Sequence, residues 1–310
     1  MTVDHTTAAV VEVLAEPEWR VRRSDHERRV DAWTAPRLER RRRGERHPVD
    51  DFLFEYYPYS PGRLRRWHPG HGVALAGAAD EWLQSPGYVR TPRGVTTDPV
   101  ALARLLPAAD QVATLLRATA GREARFGCFA LHEWAMVYGL SADEVRHAAW
   151  PLRLSPAEIS EVVEAQRLRC THFDAFRFYT PAARPLNERQ LTRADQVGTE
   201  QPGCLHATMD LYKWAMKLSP FVSSDLVADC FALARDVRDL DMRAAPYDLR
   251  GLGVEPVRVE TPEGRVAFVA EQRRLAERGA RLRGALLARI ESWQQDAGYD
   301  VRRDQRADGA

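Results

Sequence analysis

The chain has 310 residues, with 45 basic and 44 acidic side chains and a formal charge of +1. So even a balance excludes the global electrostatic field of a nucleic-acid or membrane-surface binder, and any such role must come from local clustering. Apolar residues at 45% and charged residues at 29% are ordinary for a globular protein, and no apolar run reaches the roughly 18 residues that span a bilayer.

The opening "MTVDHTTAAVVEVLAEPEW" carries acids where a secretory signal carries positive charge. Cys128, Cys170, Cys204 and Cys230 form no CxxC pair, as expected of thiols kept reduced, and a cytoplasmic location follows as the default. Residues 20 to 47 are rich in arginine, with four in a row at Arg40 to Arg43. Self-repulsion predicts a basic, partly flexible arm over 1–46, solvated or in contact with phosphate. One helical domain is expected over 47–298, and a loose polar tail over 299–310.

The stretch "DFLFEYYPYSPGRLRRWHPGHG", residues 51 to 72, crowds six aromatics, three arginines and two histidines between prolines. It suits a surface for nucleic acid, a lid over a small-molecule pocket or only the packing of a loop, with Tyr56, Tyr57, Arg63, Arg66 and Trp67 as ligand-contacting candidates in the first two cases. Further on, leucines at helical spacing predict two helices across 98–121, separated by Pro107. "FGCFALHEWAMVYG" reads as a helix ended by Gly139, with a new start at Ser141 and a capping box to Glu144. Ser155, Pro156 and Glu158 repeat that grammar. From Cys170 to Tyr179 the pattern alternates, which predicts a strand with His172 and Asp174 on one side. Helices follow at "CLHATMDLYKWAMKL" and "SSDLVADCFALARDVRDLDM", the second read as an exposed, salt-bridged helix. A short hairpin is expected around Pro262 to Gly264, then a long charged helix to about residue 295. The fold class expected is therefore mainly α, a helical domain with a small β-strand or hairpin element.

Chemistry concentrates in "CFALHEW", "CTHFDAF" and "CLHATMD", each with a Cys ahead of a His and a carboxylate after it. His206 and Asp210, four apart, share a helix face, and such pairs present an imidazole beside a carboxylate, as a general base and its orienting partner require. Glu133, His172, Asp174, His206 and Asp210 are the catalytic candidates, with Phe176 and Tyr179 beside them as substrate contacts. His132, His172 and His206 are candidate ligands for a divalent ion, although Met136 stands where HExxH needs its second histidine. No GxGxxG, Walker loop or GxSxG elbow occurs.

With "HPVDDFLFEYYPYSPGRLRRWHPGHG", "FGCFALHEWAMVY", "RCTHFDAFRFYTPAARPLN" and "CLHATMDLYKWAMKLSP" in view, the chain resembles a group of actinobacterial proteins labelled 3-methyladenine DNA glycosylases, over most of residues 47 to 250. That resemblance implies a DNA-repair hydrolase that cleaves the N-glycosidic bond of an alkylated purine. Such an enzyme flips the base out, holds it between aromatic faces and needs a carboxylate but no cofactor. Against the hairpin of helix-hairpin-helix glycosylases, "HPGHGVALA" keeps Pro69, Gly70, Gly72 and Ala76, with Asp98 following. It departs at His68, His71 and Leu75. Two other readings stand beside this one: a metal-assisted enzyme on a small aromatic or nucleoside-like metabolite, and a helical binding module without catalysis. The partners implied are DNA or a small-molecule or flipped-base ligand, and no membrane.

Overall fold

The computed structural model describes residues 10–141, 144 and 150–298. In chain order the helices are α1 Glu16–Arg42, α2 Phe52–Tyr56, α3 Pro61–Arg65, α4 Pro99–Ala120, α5 Leu131–Ala135, α6 Pro156–Ala165, α7 Phe173–Phe176, α8 Gln196–Thr199, α9 Leu205–Lys217, α10 Ser224–Ala244 and α11 Pro262–Asp296. The strands are β1 Glu12–Leu14, β2 Val73–Leu75, β3 Tyr88–Thr91 and β4 Gly94–Thr97, in the order β1-β2-β4-β3. The fold is mainly α with a small sheet, as the sequence predicts. No helix among the described residues is long and apolar enough to cross a membrane.

Helix α9 is the axis of the molecule. Leu205 through Tyr212 are all buried, so His206, Thr208 and Asp210 face the interior, while Lys213 and Lys217 near its end reach the surface. Against it pack α10 and α11, and α4 packs in turn on α11, with Leu211, Phe231, Leu106 and Ile290 in one core. A second apolar cluster lies under the sheet, where Trp19 meets Trp82 edge to face at 4.9 Å and Trp67 and Leu75 close the group.

The sheet is not where the sequence places it. Residues 170–179 hold no strand; His172 O accepts from Ala175 N and Phe176 N, and α7 follows. With no sheet edge alongside, local hydrogen bonds satisfy the backbone, and the alternation reflects burial on more than one side. Nor is there a hairpin at 262–264: Thr261 Oγ1 accepts from Gly264 N at 3.1 Å and Pro262 takes the first helical position, starting α11. Pro107 lies within α4, which runs unbroken. The ring faces solvent, as does Ala103, whose carbonyl loses its partner, so no buried group is orphaned.

The arginine-rich segment is a docked helix: α1 buries Trp19, His26, Val30 and Thr34, while Arg41 to Arg43 are exposed. After "HPGHG" the chain enters β2, where a helix-hairpin-helix motif needs a helix, and Asp98 caps α4 by accepting from Val100 N. The box at Ser155 and Glu158 forms as expected. The helix expected after Ser141 falls outside the described residues, as does the tail beyond 298, although Ser141 Oγ does bond Glu144 Oε2 at 2.6 Å.

Candidate active site

Three elements carry the three histidines to one place. Short α5 brings His132 and Glu133, α9 brings His206 and Asp210, and the extended residues before α7 bring His172. The His132 and His206 rings lie 4.4 Å apart between centroids, and His172 and His206 5.3 Å apart. All three are buried. The entry to α5 is strained: Phe129 and Ala130 take positive φ values of 47° and 54°, a region unfavourable for side chains with a Cβ.

Each outer histidine belongs to its own charged network. His132 Nε2 lies 3.2 Å from Asp241 Oδ1 on α10, and Arg238 Nη1 donates to Asp241 Oδ2 at 3.1 Å and Glu133 Oε1 at 2.7 Å. On the other side His172 Nε2 lies 3.4 Å from Asp210 Oδ2 and 3.3 Å from Glu200 Oε1. Asp210 also accepts from the Tyr57 hydroxyl at 2.6 Å and from Lys213 Nζ at 3.0 Å. His206 stands between the two networks, and its ring nitrogens make no hydrogen bond among the described residues.

Burial alone pushes a carboxyl up and an imidazole down, yet here the pairing wins for most groups. Burial raises the Asp241 carboxyl, but the charge and hydrogen bond of His132 outweigh it and hold it well below the usual range. Asp210 is held down in the same way by His172 and Lys213. For His132 and His172 burial works downward, and their carboxylates reverse it. His206 gains no such partner: burial, then the neighbouring His132 charge, drive it far below the ordinary imidazole value. It is neutral, with a lone pair to offer.

Ligand atoms of His132, His206 and Asp241 lie within 4.8 Å of one another, all buried. Two imidazoles and one carboxylate are donors that zinc and other first-row divalent ions accept. Asp241 replaces His172 in the expected ligand set, because His172 is drawn to Glu200 and Asp210. Beside this group opens a cleft of about 330 Å³, with Phe52, Tyr56, Phe178 and Tyr247 for aromatic lining and Glu133, Asp174, Arg238 and His206 for polar lining. The Arg238 guanidinium lies 3.7 Å from the Phe52 ring centroid.

Of the expected contacts, Tyr56 lines the cleft and Tyr57 sits behind it on Asp210. Phe176 and Tyr179 pack on each other at 5.2 Å in the core. Arg63, Arg66 and Trp67 do not line the cleft. Arg63 stacks on Tyr59, Arg66 bonds Ser85 Oγ, and Trp67 joins the second cluster. The reason is the break at Pro58 to Pro61, which sends α2 to the site and α3 against α1. Asp174 is reached by Lys213 at 3.5 Å and by Arg177 and Arg193 at 3.2 Å.

Asp241, Arg238 and Glu200 are absent from the sequence-derived candidates. A signal existed on α10: Val227, Phe231, Ala234, Arg238 and Asp241 fall at alternating spacings of four and three, one continuous buried stripe. A charged pair within an apolar stripe is buried and needs a partner. Glu200 has no comparable pattern. Comparison with protein-family models, curated proteins and solved structures finds no match.

Proposed function

We propose that the protein is a metal-dependent enzyme that acts on a small, flat aromatic or nucleoside-like metabolite, with His132, His206 and Asp241 holding one divalent ion. One observation carries this reading. The His206 ring, 7% exposed, makes no hydrogen bond among the described residues, and one of its nitrogens shares a space of 4.8 Å with ligand atoms of His132 and Asp241. A neutral imidazole without a partner, held beside a second imidazole and a buried carboxylate, offers a lone pair that a bound ion would take up. The strained entry to α5 fits the same purpose, since strain at one ligand is sustained only when the surroundings demand it.

Such an ion would polarise a substrate atom or lower the pKa of a bound water. The chain itself supplies the rest. Phe52, Tyr56, Phe178 and Tyr247 offer faces and edges to a planar ring, and Glu133 and Asp174 stand where a proton would be taken or given. The test is elemental analysis of purified protein. It should give close to a single ion per chain, falling to near zero in His206→Ala and Asp241→Asn. Protein that stays metal-free after incubation with zinc, iron and manganese, and whose melting is indifferent to chelator, ends the proposal.

A second reading, a DNA N-glycosylase, rests on the same cleft. Its aromatic lining suits one flipped base, and its carboxylates suit the positive charge that develops on the sugar. Release of free base from an alkylated duplex, undiminished by chelator and steeply weakened by salt, would favour it over the metal reading.

A further inference from the structure

A second concavity approaches the histidines through different residues. Two adjoining depressions, of about 170 and 270 Å³, share Arg125, Thr171, Arg189 and Gln201, and Arg122 and Arg169 complete the basic lining. The floor narrows past Cys128 to a gap of about 10 Å³ behind His132 and His206, room for about one water. We propose that this depression binds a compact phosphate-type dianion, at a site separate from the aromatic cleft.

The charges support this. Four guanidinium groups from separate parts of the chain meet there, opposed only by Glu123 and Glu188 in the lining. Glu188 is engaged with Arg169 at 3.5 Å. Arg122 donates to two main-chain oxygens, those of Glu200 at 2.7 Å and Val197 at 2.5 Å, and not to a carboxylate. The side chains of Arg125 and Arg189, and the Thr171 hydroxyl, have no hydrogen bond or ion pair among the described residues. Four like charges gathered against two lining carboxylates repel, and the planar fork of arginine matches phosphate oxygens two at a time.

The arrangement is built rather than incidental. Gln201, 5% exposed, accepts from Arg125 N and from Gly203 N, each at 2.8 Å, and donates to Arg125 O at 3.2 Å. A Cβ on Gly203 would lie 2.6 Å from Arg125 O, so only glycine allows that approach. The loop carrying Arg122 and Arg125 is thereby clamped to the segment carrying Gln201, which fixes the backbone from which these two arginines reach the mouth.

Calorimetry with inorganic phosphate at low ionic strength should give saturable binding that weakens about tenfold or more in Arg125→Glu/Arg189→Glu, each lost charge-assisted bond being worth that much. Arg41→Glu, an exposed charge on α1, should leave it unchanged. Phenyl phosphate as a second probe separates the two sources: tighter binding than inorganic phosphate assigns the site to the phosphoryl group of a larger metabolite. Phosphate should also slow alkylation of Cys128 by iodoacetamide, since Cys128 lines the depression while Cys170, Cys204 and Cys230 are buried. Chelator should not alter either result, so failure of the metal proposal leaves this one standing. It is overturned by absence of saturable binding, by equal binding in the double variant, by an unprotected Cys128, or by steeply salt-dependent binding of a duplex oligonucleotide at these arginines in place of phosphate.

Discussion

At the scale of single residues, the two charged networks flanking His206 have different work to do, and substitution separates them. Asp210 is wholly buried and compensates both His172 and Lys213 while accepting from Tyr57. Asp210→Asn leaves His172 only Glu200 and Lys213 only Asp174 as counter-charges in a low-dielectric interior, which should cost about 3 kcal/mol of stability. Tyr57→Phe removes one hydrogen bond to a charged group and should cost about 1.5 to 3 kcal/mol. Both changes should leave metal content intact, because Asp210 lies outside the group His132, His206 and Asp241. His206→Ala is expected to lose the ion and, with it, the stability that chelator also removes from the unsubstituted protein, but little more, since its ring gives up no hydrogen bond. Denaturant unfolding alongside elemental analysis reads both quantities. Loss of the ion in Asp210→Asn would merge the two networks into one functional unit.

At the scale of elements, the helices were legible where caps and apolar stripes agree, as at Ser155 to Glu158 and in α9 and α10. The sheet was not, because its strands are three or four residues long and their partners are distant: β1 pairs with β2 across some sixty residues of sequence. Period-2 alternation over 170–179 misled, since it cannot distinguish a strand from a short helix enclosed on several sides. The site was half legible. His132, His172 and His206 were each visible, but Asp241 was masked by the reading of α10 as a solvated helix.

The crossing of α9 and α11 also has a sequence trace, Gly279 in the middle of a helix. A Cβ at 279 would lie 2.9 Å from the Thr208 methyl, itself buried and stiff at χ1. Gly279→Ala gains roughly 1 kcal/mol of helix propensity and loses about 1 to 3 kcal/mol to overpacking, so a net loss is expected. In a Thr208→Ala background the clash is gone, and the same substitution should stabilise by about 1 kcal/mol. A double-mutant cycle with no coupling between the two positions would mean the helices shift apart freely.

At the scale of the whole molecule, the sheet cluster and the helical core are joined by a seam of three histidines. His68 N donates to Ser224 Oγ at 2.7 Å and His68 O accepts from Ser224 N at 2.9 Å, while His71 N donates to Phe221 O at 2.8 Å. His26 on α1 bonds Leu64 O at 2.9 Å. Burial pushes His68 down to about 3, helped by Arg66 and by the more distant His26 and Arg63. Burial also lowers His26, against the pull of the Leu64 carbonyl, Asp225 and Glu27 and with the push of Arg29, and lowers His71 against Asp296.

All three are therefore neutral in the folded chain, whereas an unfolded imidazole titrates near 6.5. Below that pH the unfolded chain binds more protons than the folded one, so the contribution is complete above 6.5 and is lost as pH falls toward the folded values. His68 alone should remove about 1.4 kcal/mol per pH unit on the descent. Down to about pH 5.5 the carboxylates have barely begun to titrate, so the histidines dominate there, and below about pH 5 the carboxylates held low in the fold add to the loss. Urea unfolding midpoints should fall between pH 6.5 and 4, and His68→Gln, which can still bond Tyr88, should flatten the slope. An equal slope in that variant would place the acid sensitivity elsewhere. The seam lies between the two apolar clusters and not at the cleft, so protonation there should loosen the sheet and α1, while His206, neutral in the fold as well, brings the same acid sensitivity to the core around α9.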